Sequence, residues 1–169
     1  MLSRVTSVAV SVLAPIACAQ MMGETITAEW HYGGLGAPIE AHQIVVGNGV
    51  ELTADDILND TKFSIDLTGN TVSFAFNAAS FWSVNNFNGW YFADTNDTLP
   101  DIIGYQIGSF SGTGTPVVTT GWDDNAFWAN FQGSQFYAGD VITMEVIFVP
   151  APSAAMAGLI GLAALRRRR

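Results

Sequence analysis

An antiparallel β-sandwich, jelly-roll-like in one variant, is the fold predicted for the body of this sequence, with an N-terminal signal peptide before it and a short hydrophobic helix after it. Three observations carry that prediction. Apolar and polar residues alternate over short runs, the period of a strand with one buried face. Clusters of Gly, Asn, Asp and Ser separate the runs. About eight or nine such runs occur, which suits two stacked antiparallel sheets, and no period of 20–50 residues marks a solenoid.

The elements follow in order. Ile26, Ala28, Trp30 and Tyr32 alternate with Thr27, Glu29 and His31, so the first strand has one apolar face. Phe63, Ile65 and Leu67 share a face, and after Thr68-Gly69-Asn70 so do Val72, Phe74 and Phe76. This pair is the clearest local signal: a hairpin with a Gly-Asn turn. Ile142, Met144, Val146 and Phe148 form the inward face of a final strand. Shorter candidates are Gln43–Val46, Gly89–Phe92, Ile102–Ile107, Val117–Thr119 and Ala126–Phe131. Residues 54–59, with Thr53 as cap, make the one plausible helical turn.

Charge narrows the partners. Of the six basic residues, Arg4 lies in the N-terminal segment and Arg166, Arg167, Arg168 and Arg169 end the chain. Only Lys62 remains in the body, against all 15 acids, so the body carries −14 where the whole chain carries −9. Such a surface repels phosphate backbones and argues against nucleic acid as a partner. It suits solubility in a salty medium or attraction of divalent cations. The single cysteine, Cys18, falls in the leading segment, so a body beginning at Gln20 has no disulfide, thiolate nucleophile or Cys metal site. About 130 residues bury roughly two-thirds of their unfolded surface, enough for a core without such staples.

The two ends read as targeting segments, dividing the chain into residues 1–19, 20–148 and 149–169. Residues 1–19 place Arg4 before an apolar run and Ala17-Cys18-Ala19 before Gln20, the small-x-small pattern of a cleaved signal peptide used by the Sec export machinery. A lipoprotein signal would use Cys18, but Pro15 stands where that signal wants an aliphatic residue. At the other end, Val149-Pro150-Ala151-Pro152 precedes the 12 apolar residues 154–165 and then the four arginines. Neither proline donates an N–H, so the pair ends the preceding strand. As a helix the apolar run spans about 18 Å, against ~30 Å of hydrocarbon, a poor permanent anchor in the inner membrane. The arginines would stay on the cytoplasmic side.

These three parts, in this order over about the last 21 residues, resemble the PEP-CTERM sorting signal of Gram-negative exported proteins. The resemblance implies recognition by an exosortase-type processing enzyme. Ala151 stands where the family usually has Glu. A plain C-terminal tail anchor is the alternative. Within the body, residues 87–104 together with Gly47-Asn48-Gly49-Val50-Glu51-Leu52 resemble a small β-rich domain of other exported bacterial proteins, a likeness that implies location and fold and no chemistry.

Candidate chemistry is sparse. His31 and His42 are the only histidines, and no nucleophile motif accompanies either. His31 is expected to be exposed on the polar face of its strand. With no Cys and two His, zinc lacks its usual ligands. Glu29 and Glu145 are the nearest candidates for a glycosidase carboxylate pair, and both are expected to face solvent. Asp94, Asn96, Asp97 and Asp101 concentrate oxygen ligands in one loop, the chemistry calcium requires; the same residues also build turns. Asp123-Asp124-Asn125 is a second acidic turn. Trp82 and Trp122, at strand edges or loops, are the candidate platforms for a polysaccharide, although a sandwich also needs aromatics in its core. Together these features predict an exported structural or adhesive protein without catalytic activity. The alternatives are a carbohydrate-binding module, calcium-assisted in one version, and a glycoside hydrolase.

Overall fold

The Gly69-Asn70 pair closes its hairpin as the alternation requires. Thr68 pairs with Thr71, and Gly69 takes a φ of 62°, the left-handed conformation that a two-residue hairpin turn needs at its first central position. The strands it joins are β3 (Phe63–Thr68) and β4 (Thr71–Phe76). A computed structural model of the chain describes residues 21–57 and 62–150, and the regular structure among them is entirely β. The segments expected to be a signal peptide and a C-terminal hydrophobic helix, and the arginines, lie outside the described residues.

The remaining strands are β1 (Thr25–Tyr32), β2 (Glu40–Val45), β5 (Ser80–Phe81), β6 (Asn88–Ala93), β7 (Ile102–Ser111), β8 (Thr119–Trp122), β9 (Ala126–Asn130), β10 (Gln135–Phe136) and β11 (Val141–Phe148). They form a five-stranded sheet in the order β2-β1-β6-β9-β8 and a four-stranded sheet in the order β3-β4-β11-β7. A two-residue ladder joins β5 to β10. Every pairing is antiparallel.

Alternation explains how the two large sheets meet. Ile26, Ala28, Trp90, Phe92, Phe127 and Ala129 line the inner face of the five-stranded sheet. Opposite them stand Phe63, Ile65, Leu67, Val72, Phe74, Ile142, Met144 and Val146. Rings bridge the layers: Phe63 to Trp90 at 6.3 Å, Phe74 to Phe92 at 6.3 Å, and Tyr105 to Phe127 at 4.9 Å between centroids. Full burial of one such side chain stabilises the fold by about 1.5–3 kcal/mol. The antiparallel sandwich expected from the alternation is therefore the architecture observed.

Several local expectations change. Residues 54–57 form a turn in which the Asp56 carboxylate accepts both the N–H and the hydroxyl of Thr53 (2.9 and 2.6 Å), and residues 58–59 of the expected helical turn lie outside the described residues. The preceding Leu52 pairs with Ile65 along the edge of β3. The strand expected at Val117–Thr119 starts instead at Thr119, since the Ser134 hydroxyl occupies both backbone groups of Val117 (2.8 and 3.1 Å). β7 extends to Ser111 by carrying an extra residue, Gly108, in a bulge opposite the Thr143-Met144 step. The alternation of β1 also fails at its end: Tyr32 is exposed, while His31 on the outer face is only 3% exposed.

Candidate functional site

The acidic loop of residues 94–101 is organised around one carboxylate. Asp94 is buried, and its Oδ2 accepts the N–H groups of Thr98 and Leu99 at 2.7 and 2.6 Å. The Thr98 hydroxyl adds a longer bond to Oδ1 at 3.4 Å. Asn96, Asp97 and Asp101 are exposed, whereas Asp94 is buried. Asp97 adopts a φ of 54°, which a short polar side chain tolerates in a tight turn. The Asp123 turn has the same logic, with Asn125 N–H donating to Asp123 Oδ1 at 3.0 Å. The loop proposed as a calcium ligand set thus has its central carboxylate committed to the backbone. Among the described residues, no three His, Cys, Asp or Glu side chains converge so as to hold a metal ion.

The aromatic candidates divide. Trp82 is 5% exposed and packs between Phe63 at 5.6 Å and Phe131 at 4.9 Å, so the platform expected there is core. Its backbone explains this. Trp82 N–H donates to Ser134 O, and Trp82 O accepts Gly133 N–H, which turns the indole inward and leaves its neighbour Phe81 outside. Trp122, at the end of β8, is 45% exposed as expected. Glu29 and Glu145 occupy the outer faces of opposite sheets, on β1 and β11, and do not form a carboxylate pair.

The outer face of the five-stranded sheet holds a group that the sequence did not single out. Register places Glu29 opposite Tyr91, Tyr91 opposite Trp128, and Trp128 opposite Gly121, so the four lie in one row across β1, β6, β9 and β8. The Tyr91 and Trp128 rings are 5.8 Å apart and within 18° of parallel. Gly121 lets the indole lie down across β8: a Cβ there would sit 2.4–2.6 Å from Cζ2, Cε2 and Nε1 of Trp128. Partial burial raises the Tyr91 hydroxyl pKa, and the carboxylates of Asp123 and Glu29 add to the rise.

Next to this pair, His31 is buried rather than exposed because three neighbours cover it. Its Nε2 meets Glu29 Oε2 at 2.9 Å, and its ring stands edge-on to Tyr91 (5.9 Å) and Phe87 (6.2 Å). Its Nδ1 is buried with no hydrogen-bond partner. On β2, His42 makes the same two-residue contact with Glu40. Trp128 was legible as a strand residue, but only pairing register shows that it shares a face with Tyr91 and rests on a glycine. No family model, curated protein or solved structure matches the chain.

Proposed function

We propose that this chain is an exported cell-surface or extracellular-matrix protein with a structural or adhesive role and no catalytic activity. Residues 1–19 direct it to the Sec machinery, and the tail beginning at Val149 is a sorting signal read by an exosortase-type enzyme. The observation that carries the reading is the order of that tail: Val149-Pro150-Ala151-Pro152, 12 apolar residues, then Arg166 to Arg169. The physical argument is length. An apolar segment of about 18 Å is short for a hydrocarbon layer of ~30 Å, which favours an address that is processed over an anchor that is kept. The body is consistent with the same role, since the carboxylates of Asp94, Asp123 and Asp140 are used to hold turns.

Intact-mass measurement of the protein recovered separately from the cell surface and the medium tests this. The expected masses lack residues 1–19 and the arginine cluster. Retention of the arginines on all recovered protein would leave a plain tail anchor and overturn the sorting role.

A further inference from the structure

Of the four edges of the two large sheets, three are closed and β2 is open. At the edge of β3, Leu52 and Ile65 exchange N–H···O bonds, and Leu67 N–H donates to the Glu51 carboxylate at 2.5 Å. The edges of β7 and β8 meet, where the Thr120 hydroxyl donates to Tyr105 O at 2.8 Å. Beyond β2 no strand is hydrogen-bonded among the described residues. We propose that β2 is a self-association edge: two copies of this chain pair β2 to β2, antiparallel across a two-fold axis, and join their five-stranded sheets. The inference concerns the folded body alone and stands or falls independently of how the tail is processed.

Pairing with β1 sets which backbone groups β2 offers. Val46 N–H donates to Glu24 O, and the register then runs without a shift from Val45 to Glu40. Antiparallel bonding alternates, so Ile44, His42 and Glu40 turn their N–H and C=O toward β1, while Val45, Gln43 and Ala41 turn theirs outward. The side chains of these three are exposed as well. An edge of this kind is normally blunted by a lysine, a proline or a bulge within the strand. β2 has none of them between Glu40 and Val45.

Charge and side-chain shape identify the occupant. A body with 15 acids and one lysine repels its own copies over most of its surface. Residues 33–50 contain one acid, Glu40, and it is buried in contact with His42. A second copy can therefore approach along β2 without meeting an exposed carboxylate on the strand. With Gln43 on the axis, Gln43 pairs with its own copy, and Ala41 pairs with Val45 of the second copy. All these pairs use outward-facing groups, which gives about six main-chain hydrogen bonds. An amide carries both donor and acceptor, so glutamine complements itself across a two-fold where a charged side chain would repel itself. Continued along the chain, the register brings Ile39 of the second copy to Gly47. Ile39 is 52% exposed, and a groove of about 440 Å³ lies beside β2 there, lined in part by Val45, Gly47, Gly49 and Val50. Outward backbone groups, a self-complementary amide and an apolar residue matched to a groove select a second copy over a strand of unrelated sequence.

One strand edge with its groove is small beside the roughly 1,200 Å² buried in stable complexes, so the expected Kd is on the order of 10–100 μM. Sedimentation velocity of the intact protein across that concentration range tests the proposal. Expected is a reversible monomer–dimer equilibrium. Gln43→Lys and Gln43→Glu each place like charges on the axis and should raise the apparent Kd about tenfold or more. An equimolar mixture of the two variants should recover the dimer, since Lys then faces Glu, and that recovery also shows that both variants fold. Phe81→Ala, an exposed aromatic on the β5–β10 ladder, should associate as the parent does. A monomer throughout the range would overturn the proposal. Association of both Gln43 variants at the parent's strength would place the contact in the tail or on another face and overturn it too. A mixture that associates no better than either variant alone would remove Gln43 from the axis, with the same consequence.

Discussion

Asp140 Oδ2 accepts the N–H of Gly114 at 3.0 Å, and a Cβ on Gly114 would fall 2.4 Å from that same oxygen. The contact ties the loop after β7 to the turn before β11. Asp140 is buried, and its carboxylate also accepts Thr113 N–H and Tyr137 N–H, each at 2.8 Å. Asp140→Ala strands these donors and is expected to lower stability by about 3 kcal/mol, read from urea unfolding. Asp140→Asn keeps one acceptor oxygen and should lose less. Gly114→Ala presses on this carboxylate and also on Gln135 O, 2.3 Å from its Cβ, so in the double variant the two losses should add only in part. Independent, additive losses would show that the contact does not join the two loops.

Asp94 makes a second carboxylate-centred loop, and its prediction concerns metal. With its Oδ2 engaged by Thr98 and Leu99 N–H groups, Asp94→Ala should cost about 2 kcal/mol. The loss should be equal in excess calcium and in excess chelator, measured as the shift in melting temperature. A loss seen only with calcium present would make the loop a cation site.

The two tryptophans singled out from the sequence should separate sharply in stability. Trp82→Ala removes a buried indole from between Phe63 and Phe131 and should cost about 3–5 kcal/mol. Trp122→Ala, at a half-exposed strand end, should cost less than about 1 kcal/mol. Chemical denaturation of both variants at neutral pH decides the point.

Tyr105 predicts an alkaline transition. Its hydroxyl is buried with no partner, and burial raises its pKa far above the usual 10.0. A group whose folded pKa is raised contributes stability that is fully present below its unfolded pKa and is lost as pH rises toward the folded value. Stability should therefore fall as pH climbs past 10.0. The half-buried Tyr91 pulls in the same direction. Tyr105→Phe removes an unsatisfied hydroxyl, so it should be neutral or slightly stabilising at pH 7 and should unfold less steeply above pH 10.0. A variant whose alkaline transition coincides with the parent's would place the transition elsewhere.

What the sequence by itself determined was local. The Gly69-Asn70 hairpin needs only a turn conformation and six alternating residues on each side, all within reach of one another along the chain. The inward face of β11 follows from a period of two, which the pleat imposes wherever the strand sits. The all-β, antiparallel character followed from the same two rules. What only the tertiary structure decided was which outward residues are covered and which outward residues meet. His31 lies on the face that alternation marks as polar, yet Phe87, distant in sequence, and Tyr91 bury it. Trp82 and Trp122 look alike in sequence, but one joins the core and the other does not, because Ser134 and Gly133 bond the Trp82 backbone. Tyr91 and Trp128 stand 37 positions apart and become neighbours only through the β6–β9 register. Alternation assigns a residue to a face; non-local hydrogen bonding assigns that face its neighbours, and here the candidate site is made of such neighbours.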